Sequence, residues 1–221
     1  KALDNYTRSL KICKELNDKS GIGMILSNIG GVYYDKGDLD KVMDYLMRSL
    51  KIAEELDDKG GMGKNFYNIG NVYDADSDHD KAIDYYTRSL EIREQIDDKR
   101  GIGMTLSNIG NVYWDKRDYD KALEYCIHAL EIQDVLGDKR GMGYTLRNIG
   151  KSYRDKGELE KALEYHTRSF EIREEVGDKH GMGNSLSEIG NVYYDKGDYK
   201  TAEEYFKKSL AIKNEIGVGA N

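Results

Sequence analysis

A strict forty-residue period runs through this chain and leaves few folds open to it. Gly30, Gly70, Gly110, Gly150 and Gly190 are evenly spaced, as are Ile29, Ile69, Ile109, Ile149 and Ile189. Tyr33, Tyr73, Tyr113, Tyr153 and Tyr193 keep the same interval, and so do Tyr45, Tyr85, Tyr125, Tyr165 and Tyr205. No insertion or deletion breaks the register. A chain copied in this way is a stack of similar units, each burying its apolar face against its neighbours. The core is then thin and continuous. A hydrophobic content of 38% with 34% charged residues, which alone would suggest disorder, is compatible with it. The 24 glycines read the same way, since 15 of them fall at 21, 23 and 30 plus multiples of forty. They are joint and packing positions rather than linker residues.

Within a unit the apolar spacing is helical. Leu106, Ile109 and Tyr113 fall on one stripe; after a polar break at 115–118, Ala122, Tyr125, Cys126, Ala129, Leu130 and Leu136 form a second. Asp38, Asp78, Asp118, Glu158 and Asp198 precede the second stripe, where an acidic side chain suits the open amides and dipole of a helix start. The pattern predicts a first helix, A, over 19–35, 59–75, 99–115, 139–155 and 179–195. It predicts a second, B, over 39–56, 79–96, 119–136, 159–176 and 199–216. Residues 1–16 match a helix B whose helix A is missing, so eleven helices are expected. The chain is then a single array over 1–221: a truncated unit at 1–17 and full units at 18–57, 58–97, 98–137, 138–177 and 178–217.

Composition excludes several functions. No apolar run approaches the roughly 18 residues of a membrane helix, so no membrane partner is expected. Two cysteines, Cys13 and Cys126, cannot form a disulfide framework, which favours a reducing, cytoplasmic setting. A net charge of −7 makes nucleic acid a poor partner.

The residues Leu106, Ile109, Gly110 and Tyr113, followed by Ala122, Cys126 and Ala129, resemble the tetratricopeptide repeat. Cys126 is an atypical filler. The forty-residue unit departs from that family's usual 34, and it lacks the family's helix-ending proline. The longer form is similar to the repeats of spindle-orientation adaptors and of bacterial signalling proteins. The resemblance implies an all-α, right-handed α-solenoid of antiparallel helix pairs, acting as a protein-binding or sensory array.

Two short motifs mislead. Gly61-Met62-Gly63-Lys64-Asn65 looks like a phosphate loop, but Asp58 occupies the first glycine position and Asn65 that of the magnesium-binding hydroxyl. Asp74, Asp76, Asp78 and Asp80 alternate as in a calcium loop, yet His79 stands at the turn glycine and Tyr85 at the bidentate glutamate. They are a weak metal candidate beside the simpler reading of a solvated acidic turn. The four histidines are scattered, with no cysteine at ligand spacing. No cofactor and no catalytic group are expected.

Recognition is expected where the units differ. The resemblance implies a concave face lined mainly by helix A. On it lie an asparagine ladder (Asn28, Asn68, Asn108 and Asn148, with Asn71, Asn111 and Asn191 beside it) and the aromatics Tyr67, Trp114 and Tyr144. Amide side chains can hold the backbone of an extended ligand, or equally bridge neighbouring helices. Arg147, Lys151 and Arg154 share one helical face in an otherwise acidic protein. They are either the anchor for an acidic side chain of a bound protein or peptide, or a surface cluster paired with Asp155 and Glu188. Other expectations compete with this non-catalytic scaffold. One is a self-assembling array formed through exposed end helices. Another is the regulatory or sensor region of a larger signalling enzyme.

Overall fold

The computed structural model describes residues 2–218, and among them eleven α-helices and no strand occur. The helices are α1 (Ala2–Glu15), α2 (Lys19–Tyr34), α3 (Leu39–Glu55), α4 (Lys59–Ala75), α5 (His79–Gln95) and α6 (Lys99–Asp115). They continue as α7 (Tyr119–Val135), α8 (Lys139–Asp155), α9 (Leu159–Glu175), α10 (Lys179–Asp195) and α11 (Tyr199–Val218). No helix among the described residues is long and apolar enough to cross a membrane.

The chain forms two compact bodies, Lys1–Gly101 and Ile102–Asn221, with the division inside the first turn of α6. In the first, α2 packs on α3, α3 on α4 and α4 on α5. Val42, Leu46 and Leu50 of α3 meet Phe66, Ile69 and Val72 of α4 in its core. In the second, α7 through α11 pack each on the next, and Leu123 and Cys126 of α7 meet Ile149 of α8. Turns this short force successive helices to run antiparallel.

Nine helix starts, those of α2–α8, α10 and α11, are fastened by an aspartate. The expected caps before helix B form: Asp38, Asp78 and Asp118 accept from the backbone N–H of Lys41, Lys81 and Lys121, and Asp198 from that of Thr201. Glu158 is the exception; its longer side chain makes no cap bond and pairs with Lys161 at 2.5 Å. Helix A has caps of its own, which the sequence pattern did not reveal. Asp18, Asp58, Asp98 and Asp178 each accept from the glycine N–H three residues on at 2.9 Å, and Asp138 does so at 3.2 Å. The first glycine of each Gly-x-Gly pair is therefore the amide donor of a cap. The second supplies a carbonyl: Gly23, Gly63 and Gly143 accept from Ser49, Ser89 and Ser169 at 2.8 Å, and Gly183 from Ser209 at 2.7 Å. These buried bonds tie helix B to helix A within one unit.

The third repeated glycine lets the helices touch. A Cβ on Gly110 would meet the Ala122 carbonyl oxygen at 3.0 Å, and one on Gly150 would meet the His166 ring at 2.5 Å. The two tyrosine series stack on each other, with ring centroids 5.4–5.6 Å apart in all five units. They are half-buried, so they form the rim of the core and not its centre. Lys41, Lys81, Lys121 and Lys161 lie 5.0 Å over four of these pairs.

Candidate functional site

The helix A positions expected to recognise a partner are half-buried, with the exception of the buried Asn148. In the first body, Tyr67 lies 5.8 Å from the Tyr86 ring, and the Arg93 guanidinium stands 5.1 Å over it. Asn71 does bridge helices: its Oδ1 accepts from the Tyr86 hydroxyl at 2.7 Å. Asn68 and Asn71 line a hollow of about 170 Å³ with Gly31, Tyr34 and Asp35, floored by Val42 and Leu46. Burial, and then Asp74, push the Tyr34 phenol above its ordinary range.

The acidic turn of the first body is largely engaged. Asp78 caps α5 and pairs with Lys81 at 2.7 Å, and Asp74 lies 3.9 Å from His79 Nδ1. Asp74, Asp76, Asp78 and Asp80 do not bring three ligand atoms within 4.8 Å of one another.

In the second body the basic face of α8 is assembled with Trp114 of α6. The Trp114 indole donates to Asp155 at 2.9 Å, and the Lys151 ammonium lies 3.2 Å from the centre of the Trp114 ring. Burial, then Arg147, lower the Lys151 pKa. Arg154 is consumed by carboxylates: Asp155 at 3.3 Å, Glu188 at 3.2 Å and Asp195 at 3.4 Å. Asn111 donates to Asp115 and Asn191 to Glu188. The Asn108 side chain stands half-buried one turn before Asn111.

Arg147 differs from Arg154. It has no ion pair among the described residues, its Nε is buried without a hydrogen bond, and its guanidinium lies 5.4 Å from the centre of the Tyr144 ring. Beside it Asn148 is 2% exposed, with neither amide atom bonded to a described residue. Beneath them lies His166 of α9, fully buried, its ring against Gly150 and both nitrogens unpartnered. Burial, with Arg154, Arg147 and Lys151, pushes the imidazole down to about 3, so the ring is neutral at pH 7. His166 was missed in the sequence, where the histidines looked scattered. The signal was its register: Leu46, Tyr86, Cys126, His166 and Phe206 form one forty-residue series. Arg147, Asn148 and His166 thus carry unpartnered polar atoms within one unit, but Asn148 and His166 are buried, and the half-buried Arg147 is the one of the three that can offer donors to an oxyanion or a peptide carbonyl.

A family model described as tetratricopeptide repeat matches residues 21–95, 101–175 and 141–215. No curated protein sequence matches the chain. Among solved structures, BtubC (BKLC) from P. vanneervenii superposes with a TM-score of 0.83 at 20% identity, over 97% of this chain and 90% of that one. The apo form of RapI superposes with a TM-score of 0.73 at 19% identity, over 97% and 91% of the two chains. A Rap protein complexed with competence and sporulation factor gives 0.75 at 16% identity, over 97% and 69%. At these identities the likeness shows a shared fold.

Proposed function

The chain belongs to the tetratricopeptide repeat family, and from that premise we propose that it is a non-catalytic scaffold for a polypeptide segment of another protein. The segment lies along the helix A face, in a concave groove, and presents an acidic side chain to Arg147. Arg147 carries the reading: Arg154 is held by three carboxylates and Lys151 lies on the Trp114 ring, whereas the half-buried Arg147 has no ion pair among the described residues and a buried Nε without a hydrogen bond. Arg154, held by three carboxylates, orders the neighbouring helices. In the same body as Arg147, Trp114 and Tyr144 offer half-buried aromatic surface of the kind enriched at binding hot spots. That a structural neighbour was solved with a bound factor is in keeping with this role.

Panning a random peptide library on the purified protein tests it. Enriched peptides are expected to carry Asp or Glu next to an apolar or aromatic residue. Arg147→Glu should abolish their binding with the helical signal unchanged. Enrichment without acidic residues, or unaltered affinity in Arg147→Glu, overturns the assignment.

A second reading is self-assembly through the end helices. Ile12 and Leu16 at one end and Phe206 and Leu210 at the other are exposed, which favours it. Sedimentation over a hundredfold range of concentration separates the two, because a scaffold keeps one mass. A regulatory role beside a catalytic domain elsewhere in a longer protein is compatible with either reading.

A further inference from the structure

A site independent of the α8 face emerges when the five units are compared at one helix B position. It is occupied by Ala53, Arg93, Gln133, Arg173 and Lys213. Arg173 is 7% exposed and lies inside its unit. Its Nε and Nη2 donate to the Gly143 carbonyl at 3.2 and 3.0 Å, and its Nη1 meets Asp178 at 3.4 Å. Arg93 is buried likewise, packs on Gly63 and lies 3.8 Å from Asp98. Gln133 donates to Ser107 Oγ at 3.3 Å from the same place.

Ala53 is too short to do any of this, yet the acceptors remain. A cavity of about 260 Å³ opens between α2, α3 and α4, lined by Gly23, Ser27, Ala53, Asp58 and Asn65 among others. Gly23 and Asp58 are the counterparts of Gly143 and Asp178. The Gly23 carbonyl keeps its bond from Ser49 and lacks the arginine donors. Asp58 keeps Oδ1 on the Gly61 N–H, and its Oδ2 has no partner among the described residues. Ser27 is 6% exposed with its hydroxyl unpartnered, and Asn65 is 3% exposed with its Oδ1 unpartnered. The buried Ser27 hydroxyl and Asn65 Oδ1, left open in this way, are costly, and the Asp58 carboxylate stands exposed at the mouth. Lys64, the cation of the lining, is exposed to solvent, where its charge is screened.

We propose that this cavity is a binding site for a guanidinium on an alkyl stem, which takes the place that Arg93 and Arg173 fill in their own units. The carboxylate of Asp58 pairs with the cation, and the Gly23 carbonyl, Asn65 Oδ1 and Ser27 hydroxyl accept its remaining N–H groups. The planar fork of donors suits this set of acceptors better than a point charge does. The source of the guanidinium is an arginine side chain of a bound polypeptide or a free alkylguanidine.

The test is a calorimetric titration with propylguanidinium, with propylurea as the neutral comparator of the same shape. Saturable binding of propylguanidinium, at least tenfold tighter than propylurea, is expected. Asp58→Asn keeps a capping oxygen at the helix start and should weaken binding at least tenfold. Ala53→Arg should abolish binding and raise the thermal midpoint, because the protein then carries its own guanidinium. Ala53→Gln, which copies the natural Gln133, replaces it should the arginine variant not fold, and should also block the site. A blocked Gly-Arg-Gly peptide that binds as tightly as propylguanidinium identifies a polypeptide side chain; exclusion of the peptide while propylguanidinium binds identifies a small molecule. Absence of saturable binding, equal binding of propylurea, or undiminished binding to the filled variants overturns the proposal. None of these outcomes depends on Arg147.

Discussion

The neutral imidazole of His166 couples the stability of α8 and α9 to pH. In the unfolded chain a histidine titrates near 6.5; in the folded unit burial brings His166 down to about 3. The unfolded state therefore binds more protons between these values, so stability is full above pH 6.5 and is lost as the pH falls toward 3. Between pH 7 and pH 5 the difference in proton uptake amounts to about 1.4 pK units, or about 2 kcal/mol. Surface carboxylates whose pKa values are lowered, such as Asp38 through Lys41 and Glu55 through Lys19, act in the same direction. They do so only at lower pH, so the window from 7 to 5 isolates the histidine. A repeat array can unfold piecewise. The assay is therefore amide hydrogen exchange of α8 and α9 at pH 7, 6 and 5, corrected for intrinsic rates, with urea unfolding alongside. His166→Phe, which copies Phe206 against Gly190, should remove about 2 kcal/mol of the pH dependence. The remaining histidines cancel in the comparison. Equal slopes for the two proteins would refute the buried neutral ring.

Three other sets of substitutions test the backbone and the polar core. Gly31→Ala, where a Cβ meets nothing within 4 Å, should stabilise the protein by about 1 kcal/mol through helix propensity. Gly110→Ala, pressed against the Ala122 carbonyl, should cost about 1–3 kcal/mol, and urea midpoints distinguish the two signs. Arg117 holds φ 61° where Gly37, Gly137 and Gly157 serve in other turns. Arg117→Gly should raise the melting temperature, for a gain of about 1 kcal/mol. Asp178→Ala removes both the cap of α10 and the carboxylate beside Arg173. It should cost about 2 kcal/mol, whereas Asp178→Asn should recover the cap portion in the same unfolding assay.

The helices were legible because each unit repeats a 3.6-residue pattern with a polar break. Observed boundaries such as Leu39–Glu55 and Lys139–Asp155 fall within a residue of those expected. The caps of helix A were not read, because the aspartate of Asp-Lys-x-Gly looked like part of a glycine joint. Its role depends on the backbone at Gly21 or Gly61 pointing an N–H back at it. The spacing of Arg147, Lys151 and Arg154 puts them on one face of α8, but does not show their inequality. What separates them is Glu188 and Asp195, contributed by the following helix A and more than thirty residues away. The cavity at Ala53 was hidden for a related reason: a small residue in a repeat looks harmless until the sister positions are seen to hold buried arginines.

The fastenings of three hairpins, α2–α3, α8–α9 and α10–α11, have a consequence for the gene. Lys19–Glu55, Lys139–Glu175 and Lys179–Glu215 join the first turn of a helix A to the last turn of its own helix B, thirty-six residues on. The serine-to-glycine bonds close the same hairpins at a separation of twenty-six. Both lie inside one forty-residue copy. A recombination that inserts or deletes one hundred and twenty nucleotides in register therefore moves a unit together with all its own closures. The number of copies is free to drift, while a change such as Ala53 or His166 can be confined to one of them.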